Sequence, residues 1–228
     1  MRAPMHSLIR VVVVLGVFLS VTAPVHAQDP PPRIGPFAVD LRGVVPHFPN
    51  SPDLAASRGF QPGQPLPGVG FGAVGGVHVY LPRIMGLTFG LGGEAIISRA
   101  HADAPSIVDS TTGITTPSSL LPVTETFKSF SPQLSLNFGN GHGWSYLSAG
   151  IGRSIWSIVP DGANPLPADE EILNTINYGG GARWFIKQHL AFSLDVRLYD
   201  IGSGTPQLGY PGSPGKVLLM FSAGISVK

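Results

Sequence analysis

No cysteine occurs anywhere in the 228-residue chain. Disulfides and thiolate-ligated metal sites are therefore excluded, and so is the lipid-bearing cysteine that a lipoprotein carries after its signal. Charge is scarce as well, since Asp, Glu, Lys and Arg make up 12% of the residues where about 25% is usual. Fourteen cationic and thirteen anionic side chains leave a net charge of +1, which offers no basic patch for a nucleic acid. Long apolar runs are missing too: residues 11–21 form an uninterrupted stretch of small and apolar residues, but a membrane-spanning helix needs about 20.

That short run has a different meaning. Arg2 and Arg10 precede it, and Val25-His26-Ala27 follows it with small residues at the two positions a signal peptidase must accommodate. Residues 1–27 are expected to be a cleaved secretory signal, followed by a Pro-rich spacer over 28–34 and a single domain over 35–228. A secreted soluble domain with neither disulfides nor a charged surface would be poorly equipped to stay in solution. Glycine (30) and proline (23), by contrast, are abundant.

Alternation with a period of two runs through the rest of the chain. Eight segments show it: 37–45, 69–81, 87–98, 128–138, 144–158, 174–186, 190–200 and 216–227. In the seventh, Phe192, Leu194, Val196 and Leu198 face one way, and Ser193, Asp195 and Arg197 the other. Each segment has about the length that a tilted strand needs to cross a bilayer. The connections alternate as well: 82–86, 139–143 and 187–189 are short, whereas 46–68, 99–127, 159–173 and 201–215 are long and rich in Pro, Gly, Ser and Thr. Short turns on one side and long loops on the other predict an all-β fold, an eight-stranded antiparallel up-and-down transmembrane barrel. Its apolar parity would face lipid and its mixed parity the narrow interior, where Gly70, Gly72, Gly76, Gly90, Gly92, Gly179 and Gly181 all fall.

Residues 177–200, NYGGGARWFIKQHLAFSLDVRLYD, resemble the penultimate hairpin of the bacterial outer-membrane protein β-barrel domain family, barrels similar to the transmembrane domain of OmpA. The likeness is sharpest in Gly179-Gly180-Gly181-Ala182-Arg183 and Asp195-Val196-Arg197, and the strand-and-loop plan extends it over 35–228. The resemblance implies an integral protein of the cell outer membrane, generally without catalytic residues or a cofactor. Its implied partners are outer-membrane lipid, the barrel-assembly machinery and an extracellular ligand of the long loops. Such barrels usually end in an aromatic residue that the assembly machinery reads; this chain ends Ile225-Ser226-Val227-Lys228.

Parity sends Asp40, Arg42, Glu94, Arg183, Asp195 and Arg197 into the interior, where isolated charges are costly and opposite signs should pair. Pairing Ile186 with Leu190 across the 187–189 turn would set Gly181 opposite Asp195, with Arg183 on the diagonal. The bland reading of this set is a plug of salt bridges; the functional one is a selectivity ring for a small solute. Gln133, Tyr80 and Met220 share the interior parity and would help to fill it. His78, His142 and His189 show no ligand spacing, so no metal site is expected. No serine and histidine stand two apart on an outward strand, which argues against a lipid-modifying enzyme. Trp144, Tyr146, Trp184 and Phe192 lie near the short turns and are expected to form an interfacial girdle rather than core aromatics. The expected function is therefore a structural or surface-interaction role with a plugged interior, the alternatives being a narrow solute channel or, more remotely, a lipid-modifying enzyme.

Overall fold

A computed structural model describes residues 33–104, 106–108, 113, 115–117 and 120–228. The expected signal segment 1–27 and spacer residues 28–32 lie outside them. In chain order the described elements are β1 (Phe37–His47), α1 (Pro52–Ser57), β2 (Phe71–Tyr80), β3 (Leu87–Ala102), β4 (Ser106–Val108) and β5 (Thr115–Pro117). They continue with β6 (Val123–Asn140), β7 (Gly143–Pro160), α2 (Pro167–Glu170), β8 (Ile172–Phe185), β9 (Leu190–Ile201) and β10 (Lys216–Val227). Eight of the strands close into one antiparallel barrel in the order β1-β10-β9-β8-β7-β6-β3-β2, and β4 and β5 pair separately as a small ladder.

Closure is made by β1 against β10, with Val39 opposite Val227 and Arg42 opposite Gly224. No strand edge of the barrel is left open, which is the condition a β-structure must meet in hydrocarbon. Along β6 the outward residues Phe130, Pro132, Leu134, Leu136 and Phe138 form an exposed apolar row nine residues long, the length of a tilted bilayer crossing. Pro132 has no N–H to give, and the β6–β7 ladder passes from Phe130–Arg153 directly to Gln133–Gly150. The 82–86 connection closes as a two-residue turn, Ile84 N–H donating to the Leu87 carbonyl at 2.9 Å. Met85 (φ 49°) and Gly86 (φ 85°) are both left-handed there, the conformation that matches the twist of a tight hairpin. Between β8 and β9, Ile186 N–H donates to Leu190 O at 3.0 Å, and Gly181 stands opposite Asp195 as the spacing requires.

The strands do not stop where the apolar outward pattern stops. β3 runs to Ala102 rather than 98 and β6 begins at Val123 rather than 128, with Arg99 opposite Thr126 and His101 opposite Thr124. The expected 99–127 loop is therefore shortened by paired strand at both ends. Sequence alternation hid this because the pattern inverts: Arg99, His101, Thr124, Thr126 and Lys128 point outward, while Ala100, Val123 and Phe127 are buried inside. Above the lipid-facing band the barrel is built like a soluble one, with a polar exterior and an apolar core.

Candidate functional site: the filled lumen

The lower part of the interior, nearest the short turns, is aromatic. Trp144 stacks on Phe185 at 5.0 Å and meets the Tyr80 ring edge-on at 5.6 Å. Trp144 and Tyr146 are 3% and 4% exposed, so neither belongs to an interfacial girdle. The expectation failed because turn proximity was allowed to outweigh parity: on β7 the even residues Trp144, Tyr146 and Ser148 face inward and Leu147 and Ile151 face lipid. Trp184 and Phe192 do lie on the outer face, half exposed and stacked at 6.2 Å.

The middle of the lumen holds all six charged residues that parity had assigned to it, each at most 4% exposed. Arg183 grips Asp40 with two parallel hydrogen bonds, Nε to Oδ1 at 2.9 Å and Nη2 to Oδ2 at 2.5 Å. Its guanidinium lies 4.3 Å from the centre of the Tyr146 ring. The Asp40 carboxylate also accepts from the Ser226 hydroxyl and faces His78 Nδ1 at 3.7 Å. The other four charges close a ring. Arg42 reaches Glu94 at 2.5 Å and Asp195 at 3.3 Å, and Arg197 reaches Asp195 at 3.0 Å and Glu94 at 3.6 Å. Tyr146 donates to Asp195 and Tyr199 to Glu94, each at 2.8 Å. Arg183 thus crosses to β1 instead of meeting its diagonal neighbour Asp195.

Such crossings need a wall without side chains. A Cβ on Gly181 would sit 2.7 Å from the Tyr146 hydroxyl, so glycine there lets the phenol lie flat between β7 and β9 and reach Asp195. Three carboxylates and three guanidiniums balance, which is what makes this much buried charge tolerable.

The upper lumen is apolar and capped from above. Phe127, Trp156, Ile158, Leu173, Ile201 and Leu218 form a core with Phe48, Leu54 and Leu66 from the 46–70 connection. α1, which Pro52 initiates, turns Leu54 down into this core. Buried Arg58 then fixes the cap, donating to the Trp156 carbonyl at 2.8 Å and pairing with Asp169 at 2.8 Å. Burial pushes the Arg58 guanidinium below its ordinary pKa, and Asp169 opposes that shift. Asp169 in turn accepts from the backbone N–H of Ile158 and of Leu166, both at 2.8 Å, and so ties the 161–171 connection to the barrel rim. Buried Glu125 accepts from Trp156 Nε1 at 2.7 Å. Sequence reading missed this cap. Its available signals were a proline-initiated PDLAAS helix and a lone arginine inside a loop otherwise free of cations.

His142 lies exposed in a turn, and the His189 side chain meets the backbone carbonyl of Lys228 at 3.0 Å. Among the described residues, no group of three or more His, Asp or Glu is arranged to hold a metal ion.

A closed antiparallel ladder, an apolar outer belt, a charged and filled interior and alternating short and long connections define a transmembrane β-barrel of the outer-membrane type. No family profile and no curated protein matches the chain by sequence. Among solved structures it is similar to Neisserial surface protein A, at 14% identity and a TM-score of 0.48, over 85% of this chain and 97% of that one. It is similar also to Ail, the attachment invasion locus protein of Yersinia pestis, at 10% identity and a TM-score of 0.44, over 84% and 95%. A third similar structure is the outer membrane protease OmpT from Escherichia coli, at 9% identity and a TM-score of 0.39, over 84% and 96%.

Proposed function

We propose that the chain is exported through a signal at 1–27 and works as an integral outer-membrane protein with a structural or surface-interaction role and a lumen closed to solutes. The observation that carries the reading is the filling of that lumen by buried side chains: an aromatic floor, three carboxylates balanced by three guanidiniums in one pair and one four-membered ring, and an apolar core under a loop cap. The long connections stand outside and supply the surface for any partner, while the assembly machinery and membrane lipid are the partners of the wall.

Fractionation of the native host combined with protease shaving tests this. The protein should sediment with the outer membrane, and external protease should cut within 103–121. Recovery in a soluble fraction, or cleavage confined to 139–143 in intact cells, would reject the location or the topology.

A second reading, a narrow path for small solutes, draws on one feature. Ser131, Gln133, Asn137 and Asn177 line one wall of the lumen, and each keeps a buried polar atom without a hydrogen-bond partner. The cap above and the Trp144 floor below close both ends of that strip.

A further inference from the structure

Outside the lumen, the charge of the barrel is divided by end. Among the described residues there, the acidic ones, such as Asp53, Asp103, Asp161, Glu170, Glu171 and Asp200, all stand at the long-loop end. The short-turn end carries Arg33, Arg83, Lys187 and Lys228 and no described Asp or Glu. Arg33, Lys187 and Lys228 share one hollow. A basin of about 910 Å³ lies where β10 ends, between the 33–37 stretch, the 187–189 turn and the 141–142 turn. Those three cations rim it together with His142 and His189, and Phe37, Phe185 and Ile186 supply apolar wall. Lys228 is seated there: its Nζ donates to the Gly141 carbonyl and lies 3.9 Å from the centre of the Phe185 ring. Arg33 and Lys187 are exposed and have no ion-pair partner among the described residues. A concave site focuses the field of like charges, so an anion gains more in it than beside an isolated lysine.

The backbone of β1 opens into the same basin. Tyr80 N–H donates to the Pro36 carbonyl at 2.8 Å, so Pro36 and Ala38 turn their hydrogen-bonding groups toward β2, and Phe37 and Val39 turn theirs toward β10. Val39 has Val227 opposite, but β10 has run out at the level of Phe37. The Phe37 N–H and carbonyl therefore face the basin without a partner strand. Phe185 and Lys228 belong to the inward parity of their strands, which puts the bed of the basin under the lumen rather than on the lipid-facing wall. Cations alone would suit any small anion. A free backbone donor and acceptor beside them, between apolar walls, suit an extended peptide that adds its own backbone next to β1.

We propose that this basin binds an extended acidic segment of a periplasmic protein, its carboxylates held by Arg33, Lys187 and Lys228 and its backbone by Phe37. The proposal rests on the outer-membrane reading for the compartment and deepens it by giving the short-turn end a partner of its own. Arg33 offers a carboxylate a planar fork of donors and the two lysines offer point charges, so the segment is gripped at several places along its length.

The test uses the full barrel refolded in a neutral detergent and titrated with a short fluorescein-labelled peptide that alternates glutamate and valine, with its glutamine counterpart in parallel. Exposed ion pairs contribute a factor of a few each, so the glutamate peptide should bind at least about tenfold more tightly than the glutamine one at low salt. Arg33→Gln with Lys187→Gln should remove most of that factor, whereas Arg83→Gln, at the same end but outside the basin, should leave it in place. Equal binding of the two peptides, an unchanged double variant, or an equal loss in Arg83→Gln would overturn the proposal. Displacement by millimolar inorganic phosphate at constant ionic strength would also overturn it, because the site would then be one for a free anion. Displacement by phosphatidylglycerol in mixed micelles would overturn it in favour of a lipid headgroup. If the double variant does not fold, a wild-type preference for glutamate that is unchanged in 0.5 M salt, on the order of a 4 Å Debye length, would reject a charge-led site. Micelles have no sides, so failure here counts against the basin alone, whereas reversed protease shaving counts against the compartment.

Discussion

Replacing Asp195 by Asn removes one charge from the ring and almost nothing else. The wild-type carboxylate takes hydrogen bonds from Tyr146 at 2.8 Å and Arg197 Nη2 at 3.0 Å, and it faces Arg42 at 3.3 Å. After the change the lumen holds three guanidiniums against two carboxylates, and Glu94 must serve both Arg42 and Arg197. Removing one partner of a buried ion pair costs about 3 to 5 kcal/mol. Asparagine still offers one carbonyl oxygen to Tyr146 or Arg197, so Asp195→Asn belongs near 3 and Asp195→Ala near 5, both about. Adding Arg197→Gln to Asp195→Asn restores neutrality, and the double variant should recover about 1 to 2 kcal/mol relative to the sum of the singles. Urea titrations of unfolding from lipid vesicles, followed by tryptophan fluorescence and by heat-modifiable gel mobility, give these differences. A cost under about 1 kcal/mol for Asp195→Asn, with no coupling to Arg197, would mean that water solvates the charges and that the lumen is not packed.

The two faces of β9 should respond differently to the same side chain. Leu194→Arg places a charge in lipid and should cost about 2 to 4 kcal/mol in the same titrations, while Ser193→Arg should disturb the interior by crowding; no penalty for Leu194→Arg would invert the faces. Of the three tryptophans, brominated lipid should quench Trp184, which is 50% exposed, and spare Trp144 and Trp156, at 3% and 0%; quenching of a Trp144-only variant would place that ring outside. External protease should cut the 103–121 segment well before 46–68, because Phe48, Leu54 and Leu66 hold the latter in the core; equal cleavage rates would show that the cap is not seated. The exposed Asp53 carboxyl is held down at about 2, first of all by its hydrogen bond to Lys216. A lowered carboxyl stabilises above its ordinary value of 3.8 and loses that contribution as pH falls toward 2, so cutting within 46–68 should become faster over that acid range.

Most of the barrel was legible because lipid imposes a period of two with an apolar outer face, and the eight segments that show it are the eight barrel strands. The same rule placed Asp40, Arg42, Glu94, Arg183, Asp195 and Arg197 inside, since parity fixes a face without any knowledge of partners. Partner choice was not legible. Arg183 was expected beside Asp195 from a single hairpin, but Asp40 lies 143 positions away in sequence and reaches it only after β1 closes against β10. Trp144 and Tyr146 were misplaced when a statistical habit of aromatics near turns was preferred to their own parity. Strand ends and the cap were lost for a common reason. Above the belt the apolar residues turn inward, so Val123, Phe127, Leu54 and Leu66 read as loop when the pattern sought is apolar outward.

Closure of the lumen is the claim on which the functional reading stands, and conductance measures it directly. Planar bilayers loaded with the refolded barrel should show no steady current, because side chains fill an eight-stranded interior from the Trp144 floor to the Leu54 cap. A stable, ion-selective conductance whose selectivity changed sign on substitution of Arg183 or Arg197 would contradict that account and make the barrel a channel.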